Sequence, residues 1–422
     1  MKVFGMTLQL IIALLFAFVA GFILLIFVHL IPTKNIGKNV QESASMLSAE
    51  GDYYSYIRGM PSSEIDNYMD STMLMIAGYN GTEDIISQVI YNYYIIYPDK
   101  QRTESLHLVG EAYLDGDDNG TEKKTYEWYW HGYLVVLKPL LQFFSVADLR
   151  RINSILILCE VVFVSLLLYK NTLHLYCIPF LISVSFMNLS TVALSISYSL
   201  PFHITIISMV AELLFPRWIQ KNSIMLYCTI GALTSYLDFL TYPIITLVFP
   251  LVIYLSRNKQ RLFVKTLGNI TSWGIGYIGM WTSKWLISTV ITKQNHFIKG
   301  FERISVRSAN VYNNTSLGVN EFINIMQRYV KQSPYLFLIF GFVIILLIIL
   351  LKQKHLEQNR IVCSAIMLCC SLLPLLWYVI SRQHSYIHNH FTFRAMSGSF
   401  FVIGSFLIPL LEQKQVNKVT IN

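Results

Sequence analysis

The stretch TLQLIIALLFAFVAGFILLIFVHLI occupies residues 7–31 and contains no acidic, lysine or arginine side chain. It is longer than the apolar part of a signal peptide and lacks a small-residue cleavage site, so we interpret it as an uncleaved transmembrane helix. Of the 422 residues, 54% are hydrophobic and 13% are charged, whereas soluble domains average about 25% charged residues. The composition therefore predicts an all-α polytopic membrane protein and excludes a soluble enzyme with a single anchor.

Acidic and basic residues are separated along the chain. Residues 32–130 carry sixteen Asp and Glu against seven Lys and Arg, although the formal net charge of the whole chain is +8. The basic residues cluster in short loops between apolar runs, as the positive-inside rule describes. The positive charge thus indicates membrane topology and not nucleic-acid binding. With a cytoplasmic N-terminus, every basic short loop falls on the cytoplasmic side of a ten-span arrangement.

Hydropathy divides the chain into about ten spans in the plasma membrane, with both termini cytoplasmic. The predicted regions are a first transmembrane helix (1–31), an extracytoplasmic loop (32–147) with an interfacial helix (130–144), transmembrane helices 2–7 (148–290), a second extracytoplasmic loop (291–333), and transmembrane helices 8–10 with a cytoplasmic tail (334–422). The segment WHGYLVVLKPLLQFF (130–144) is too short to cross a bilayer, so we predict that it lies on the membrane surface.

Asp66 and Asp70 stand four residues apart in a segment that we predict to be helical from Pro61 to Gly81. On a helix the two carboxylates share one face. Such a pair serves either as a general base with a supporting partner or as a cation site. The alternative is a solvated acidic helix face, which is common in so acidic a loop.

Asp238 lies among aromatic and aliphatic residues in SYLDFLTYP, residues 235–243. An ionisable residue near the end of a span is costly and usually has a partner. A structural role in capping the turn before Tyr242 and a functional role are both consistent with the sequence.

The stretch SRQHSYIHNHFTFR occupies residues 381–394 and contains no acid. It places Arg394 at the beginning of the last predicted span. A buried arginine needs an acceptor, and its planar guanidinium matches the oxygens of a phosphate. His384 and His388 have the spacing of a metal pair, but no third ligand is evident. An aromatic interfacial belt is the alternative.

The order of these segments resembles the GT-C superfamily of polytopic glycosyltransferases. One span, a large acidic outer loop, a membrane-lying helix and then FFSVADLRRIN (143–153) share the layout of its arabinose- and mannose-transferring branches. Those branches have a proline where this chain has Gly132. The motifs IDNYMDSTML, WHGYLVVLKPLL, LTSYLDFLTYP and HSYIHNHFTFR also resemble polytopic proteins of Gram-positive bacteria.

The resemblance implies a glycosyltransferase that moves a sugar from a polyprenyl-phosphate donor to a cell-envelope or surface glycan, by inverting attack on the extracytoplasmic face. It implies Asp66 as the general base and Asp70 as its supporting partner. No cofactor is expected, although a divalent cation at these two carboxylates stays open. The expected substrate-binding residues are Arg394, Arg382, His384, His388, Asp238, Tyr242, His131 and Arg151.

Three other functions fit the same residues. A lipid-linked saccharide flippase would hold a lipid phosphate with the same cations but would need no base. A polysaccharide polymerase or ligase would use a pyrophosphate-linked oligosaccharide. A scaffold or receptor in envelope assembly would need none of this chemistry. The large outer loop and the lack of repeated halves favour an enzyme over a transporter.

Overall fold

The computed structural model describes residues 2–115, 119–258, 261–332, 334–351 and 357–411. Most of these residues are helical, and the strands among them form three short antiparallel sheets of two strands each. The structure therefore agrees with the predicted class of a helical membrane protein. The predicted cytoplasmic tail, from residue 412 onward, lies outside the described residues.

The amino-terminal part of the chain forms six helices and two small antiparallel sheets of two strands each. The helices are α1 (Lys2–His29), α2 (Lys34–Glu50), α3 (Asn67–Gly78), α4 (Ile85–Tyr91), α5 (Arg102–Asp115) and α6 (Leu134–Leu141). The sheets pair β1 (Tyr53–Ser55) with β2 (Glu64–Asp66), and β3 (Tyr94–Ile96) with β4 (Glu122–Lys124). We call residues 33–145 the loop domain.

The loop domain has its own apolar core, which continues onto the end of α1. The core is formed by the facing sides of α2, α3 and α5, with buried side chains that include Leu25, Ile36, Val40, Met73 and Leu106. Burial of such side chains is the main stabilising contribution to a fold. The loop domain is therefore a folded unit that packs on one end of the helix bundle.

The remainder of the chain forms the bundle and its connections. Its helices are α7 (Val146–Lys170), α8 (Cys177–Phe186), α9 (Leu189–Leu194), α10 (Ile196–Leu214), α11 (Pro216–Leu237), α12 (Ile245–Arg257), α13 (Leu262–Thr292), α14 (His296–Arg307), α15 (Val319–Gln332), α16 (Pro334–Leu351), α17 (Gln358–Cys370), α18 (Leu373–Ile380), α19 (Arg382–Ile387), α20 (Asn389–Thr392), α21 (Met396–Ser405) and α22 (Ile408–Leu411). The third two-stranded sheet pairs β5 (Val311–Tyr312) with β6 (Thr315–Ser316).

The backbones of α11 and α13 touch directly at two glycines. A Cβ atom added to Gly231 would lie 2.1 Å from the carbonyl oxygen of Trp273, and one added to Gly276 would lie 2.0 Å from that of Cys228. Real Cβ atoms do not approach so closely, so only glycine permits this contact. We call this contact the glycine seam; small residues play the same role where helices cross closely in membranes.

Five helical segments of the described chain are long and apolar enough to cross a membrane. They are Leu10–His29, Val146–Lys170, Ile196–Leu214, Gln358–Ile380 and Asn389–Leu411, and the pair Val319–Gln332 and Phe337–Ile349, bent by 89°, is a sixth candidate. Ten spans therefore stay a prediction. The predicted spans at 171–190 and 242–256 contain α8 and α12, which have only 10 and 13 residues, whereas a perpendicular span needs about 20.

Two predicted helices differ in the structure. The helix expected from Pro61 begins at Asn67, because Glu64–Asp66 pairs with Tyr53–Ser55 as a strand. The interfacial helix expected over 130–144 is reduced to the eight residues of α6. His131 adopts a left-handed conformation with φ of 57°, which is incompatible with an α-helix.

Several helix ends meet the loop domain, and we call this end of the bundle the loop face. The Gly132 N–H donates to the Tyr236 carbonyl at 2.9 Å, which joins the loop domain to the end of α11. The Lys284 ammonium near the end of α13 donates to the Val89 carbonyl at 2.7 Å. Residues that are distant in sequence are thus brought to one face.

Candidate functional site

Asp66 is the N-cap of α3. Its Oδ1 accepts a hydrogen bond from the Met69 N–H at 2.9 Å, which satisfies one of the unpaired donors of the first helical turn. Its Oδ2 faces Nε2 of His390, 3.9 Å away. The side chain is buried, so the predicted solvated acidic face does not exist here. One carboxylate oxygen holds the helix while the other faces a titratable group.

His390 lies between two carboxylates. Its Nδ1 is 3.9 Å from Oε1 of Glu64, and its Nε2 is 3.9 Å from Oδ2 of Asp66. Both distances exceed a hydrogen bond. Nε2 is buried and has no hydrogen-bond partner among the described residues, and the Tyr53 ring packs edge-on at 5.3 Å between centroids. We call Tyr53, Glu64, Asp66 and His390 the acid–imidazole group.

Asp70 has a different environment, although it is one helical turn away. Its Oδ2 accepts from the Ile196 N–H at 2.9 Å, and its Oδ1 accepts from the Ser197 N–H at 3.0 Å and the Ser195 hydroxyl at 3.2 Å. Burial raises the pKa of this carboxyl to about 6, although the backbone donors act in the opposite direction. Asp70 therefore joins α3 to the first turn of α10.

Arg394 is fully buried and is bound by backbone carbonyls. Its Nε donates to Met187 at 2.9 Å, and its Nη1 and Nη2 donate to His390 and Ser62 at 3.1 Å each. The guanidinium also lies 4.3 Å from the centroid of the Tyr198 ring. The arginine therefore fixes the His390 backbone next to the segment that precedes Glu64, and it does not point out to lipid headgroups.

Arg307, at the end of α14, donates to two histidines of the stretch 381–394. Its Nη1 lies 2.9 Å from Nδ1 of His384 and 3.1 Å from Nε2 of His388. Arginine only donates, so both facing ring nitrogens carry no proton. His384 then donates through Nε2 to the Leu240 carbonyl at 2.7 Å. We call Arg307, His384 and His388 the cationic group.

The electrostatics agree with neutral histidines in the cationic group. Burial, together with the neighbouring Arg307, lowers the pKa of His388 to about 3. Burial likewise holds the pKa of His384 well below its usual range. The rings of His388 and His390 have centroids 6.0 Å apart, so the cationic group and the acid–imidazole group adjoin.

The loop domain holds α14 in place. Glu127 is buried, and its carboxylate lies 3.0 Å from Nδ1 of His296 and 2.7 Å from the Lys299 ammonium. The Arg303 guanidinium stacks 3.8 Å from the centroid of the Trp128 ring. These contacts hold residues 296–303 of α14 against the loop domain, and α14 in turn places Arg307 in the cationic group.

The other predicted residues have internal partners. The Asp238 carboxylate accepts from the Thr241 N–H at 3.1 Å and from its hydroxyl, which caps the turn after α11. The Tyr242 hydroxyl donates to the Tyr198 carbonyl. Nε2 of His131 lies 2.7 Å from the Tyr126 carbonyl, and burial holds the pKa of His131 well below its usual range.

Two of the predicted arginines lie farther out. The Arg151 side chain is 79% exposed and its nearest ion partner is Asp148, at 3.4 Å on the same helix. Arg382 donates to the Asn310 side chain at 2.7 Å. Neither arginine forms an ion pair or hydrogen bond with the acid–imidazole group among the described residues. The structure therefore does not bring all of the predicted substrate-binding residues together.

Sequence reasoning missed three residues of this site: Glu64, Arg307 and His390. Arg307 falls within the predicted second extracytoplasmic loop (291–333), but nothing in the sequence links it to His384. His390 stands two residues after His388, a spacing that matches neither a helical face nor a metal pair. No group of three or more His, Cys, Asp or Glu side chains suited to a metal ion occurs in the described parts of the chain.

Comparison with known proteins gives no relative that would assign this site. No protein-family model, no curated protein and no solved structure matches the chain.

Proposed function

We propose that this protein is a membrane glycosyltransferase that moves a sugar from a polyprenyl-phosphate donor to a hydroxyl of a cell-envelope glycan at the loop face. The observation that carries the proposal is the adjacency of Asp66 and His390 to the Arg307 cation. A base, an imidazole and a cation for a leaving phosphate are the groups that such a transfer requires.

Asp66 acts as the general base. Because its Oδ2 and the His390 Nε2 are 3.9 Å apart, one hydroxyl oxygen fits at about 2.8 Å from both atoms. Asp66 takes the proton of that acceptor hydroxyl, and His390 orients the oxygen. The oxygen attacks the anomeric carbon from the side opposite the phosphate, so the sugar inverts its configuration. The C–O bond to the phosphate breaks, and its electron pair leaves with the phosphate.

Arg307 stabilises the phosphate. It forms no ion pair with an acid among the described residues, and its two histidine neighbours are neutral acceptors. A cation held by neutral groups keeps its charge available for an anion, whereas one bound to a carboxylate does not. Arg394 acts indirectly, because it positions the His390 backbone. The lipid tail would extend into the bilayer from this face.

The test is transfer by the purified full-length protein in lipid nanodiscs, supplied with a synthetic polyprenyl-phosphate sugar. Asp66→Asn should lower turnover by about 10²–10⁴-fold, the usual contribution of a general base, and should still bind the donor lipid. Asp148→Asn, an acid at the start of α7, is the matched control and should retain full activity. Equal turnover in Asp66→Asn and the parent protein would refute the base assignment.

A flippase gives a different result in the same nanodiscs. It would move the lipid-linked sugar between leaflets in both the parent protein and Asp66→Asn, without releasing polyprenyl phosphate. Release of polyprenyl phosphate that depends on Asp66 therefore separates the enzyme from the transporter. A pyrophosphate-linked donor tested in parallel separates a polymerase or ligase.

A further inference from the structure

A second site lies on the loop face, beside the acid–imidazole group. A cavity of about 580 Å³ opens between the turn at Pro61–Ser63, the start of α9, and the junction of α15 with α16. Cavities of about 300–1,000 Å³ are typical of small-ligand sites. No residue that lines this cavity belongs to the acid–imidazole group or to the cationic group.

The polar side chains that line the cavity are neutral hydrogen-bonding groups, apart from one cation. They are three serines, two amides and one cation: Ser62, Ser185, Ser190, Asn188, Gln332 and Lys331. None of the described residues that line the cavity is acidic. Lys331 therefore gives the cavity a net positive charge, and the hydroxyls and amides can both donate and accept.

Gln332 places an unused hydrogen-bond acceptor at the cavity wall. Its side chain is 6% exposed, and its Oε1 is buried without a hydrogen-bond partner among the described residues. A buried amide oxygen left unpaired is costly, and the cost is avoided when a donor binds. Because Gln332 lines the cavity, a hydroxyl of a bound molecule is a suitable donor.

Hydrogen bonds hold two walls of the cavity in place. Asn188 has a left-handed backbone with φ of 57°, and its Nδ2 donates to the Ser62 hydroxyl at 3.3 Å. Arg394 binds the carbonyl of Ser62 and that of Met187, which join the same two walls. The Pro61–Ser63 turn and the start of α9 are thus joined by three hydrogen bonds, of which the two from Arg394 are buried.

We infer that this cavity binds an anionic saccharide, a hydroxyl-rich ligand with one phosphate or carboxylate group. Serine hydroxyls and amides match sugar hydroxyls, Lys331 matches the anion, and apolar walls such as Met60 and Leu189 match the C–H faces of a sugar. The inference rests on the proposed function, because it makes this ligand the glycan acceptor. Ser62 precedes Glu64 by two residues, so the ligand lies beside the acid–imidazole group.

The test is binding to the full-length protein in nanodiscs, without any donor lipid. The probes are a synthetic disaccharide phosphate and the same disaccharide without its phosphate, compared by calorimetry. The charged probe should bind at least tenfold more tightly. Lys331→Gln should abolish that preference and Lys331→Arg should retain it, whereas Gln332→Leu should weaken both probes. Arg328→Gln removes another cation of α15, which stacks on Tyr386, and should change nothing.

Three results would overturn the inference. The first is equal binding of both probes, and the second is an unchanged preference in Lys331→Gln. The third is displacement of the probe by a short-chain polyprenyl phosphate at equal concentration, because the cavity would then belong to the lipid donor. Asp66→Asn should bind the charged probe normally. Normal binding with no transfer in any assay would refute the proposed enzyme and leave the saccharide site standing.

Discussion

The two ends of the first turn of α3 carry buried carboxylates that differ in their hydrogen bonding. Both oxygens of Asp70 accept hydrogen bonds from three donors at the start of α10. Asp66 accepts one hydrogen bond from its own helix, and its other oxygen faces His390. Both look alike in the sequence. Because both carboxylates are buried, we propose Asp66 and not Asp70 as the reactive group on the basis of its unused hydrogen-bonding capacity.

The arginines of the loop face divide in the same way. Each of the three guanidinium nitrogens of Arg394 donates to a backbone carbonyl, whereas Arg307 donates to two neutral imidazoles. We therefore expect changes at Arg394 and Asp70 to affect folding, and changes at Asp66, His390 and Arg307 to affect turnover.

The largest effect is expected at Arg394. Arg394→Gln removes a buried cation from three carbonyls, and it should lower the free energy of unfolding by about 3 kcal/mol. Arg394→Lys should recover only part of the loss, since one ammonium cannot reproduce the planar guanidinium. Thermal unfolding in detergent measures both. A variant with parental stability and no donor binding would instead make Arg394 a direct phosphate ligand.

Asp70→Ala should have the next largest effect. It leaves the Ile196 and Ser197 N–H groups without their acceptor, which costs about 2 kcal/mol of stability at neutral pH. Turnover per folded molecule should stay within about threefold of the parent, since Asp70 contacts none of the reacting groups. Unfolding curves and single-turnover assays check the two halves separately. A hundredfold loss of turnover with unchanged stability would place Asp70 in the reaction.

His390→Gln should reverse that pattern. Its Nε2 has no hydrogen-bond partner among the described residues, so stability should change by less than about 0.5 kcal/mol. Transfer should fall about tenfold, or about 1.4 kcal/mol of transition-state stabilisation, because the acceptor oxygen loses its orienting partner. The comparison between Asp66 and Asp70 would fail if His390→Gln unfolded the protein and Asp70→Ala did not.

Arg151→Gln gives the smallest effect. The side chain is 79% exposed and pairs only with Asp148, and exposed ion pairs contribute about 0–1 kcal/mol. Stability, donor binding and turnover should all stay at parental values. A marked loss of donor binding would restore Arg151 to the substrate site that the sequence predicts.

The sequence was informative where a single segment decides the outcome. The apolar run before Leu30 predicts α1, and the charge asymmetry predicts that the acidic segment stands apart from the spans. The pairing of β1 with β2 could not be predicted, because three-residue strands carry no periodic signal. Because of that pairing, α3 begins at Asn67 and not at Pro61, and Asp66 is its N-cap. A hydropathy pattern does not contain this information.

The sequence predicts some members of the candidate site but not their contacts. Residue types and the predicted face point to Asp66 and His384, whereas Glu64, Arg307 and His390 carry no such signal. The partner of each depends on tertiary structure: His390 meets Asp66 because Arg394 fixes its backbone, and Arg307 meets His384 because Glu127 holds α14. Long-range packing of this kind leaves no trace in one sequence.

The glycine seam has a mechanical consequence. Since Gly231 and Gly276 bring two backbones into contact, a larger side chain at either position would force α11 and α13 apart. α14 follows α13 directly in the chain and carries Arg307. The spacing of these two helices therefore sets where α14 begins, and with it the position of Arg307.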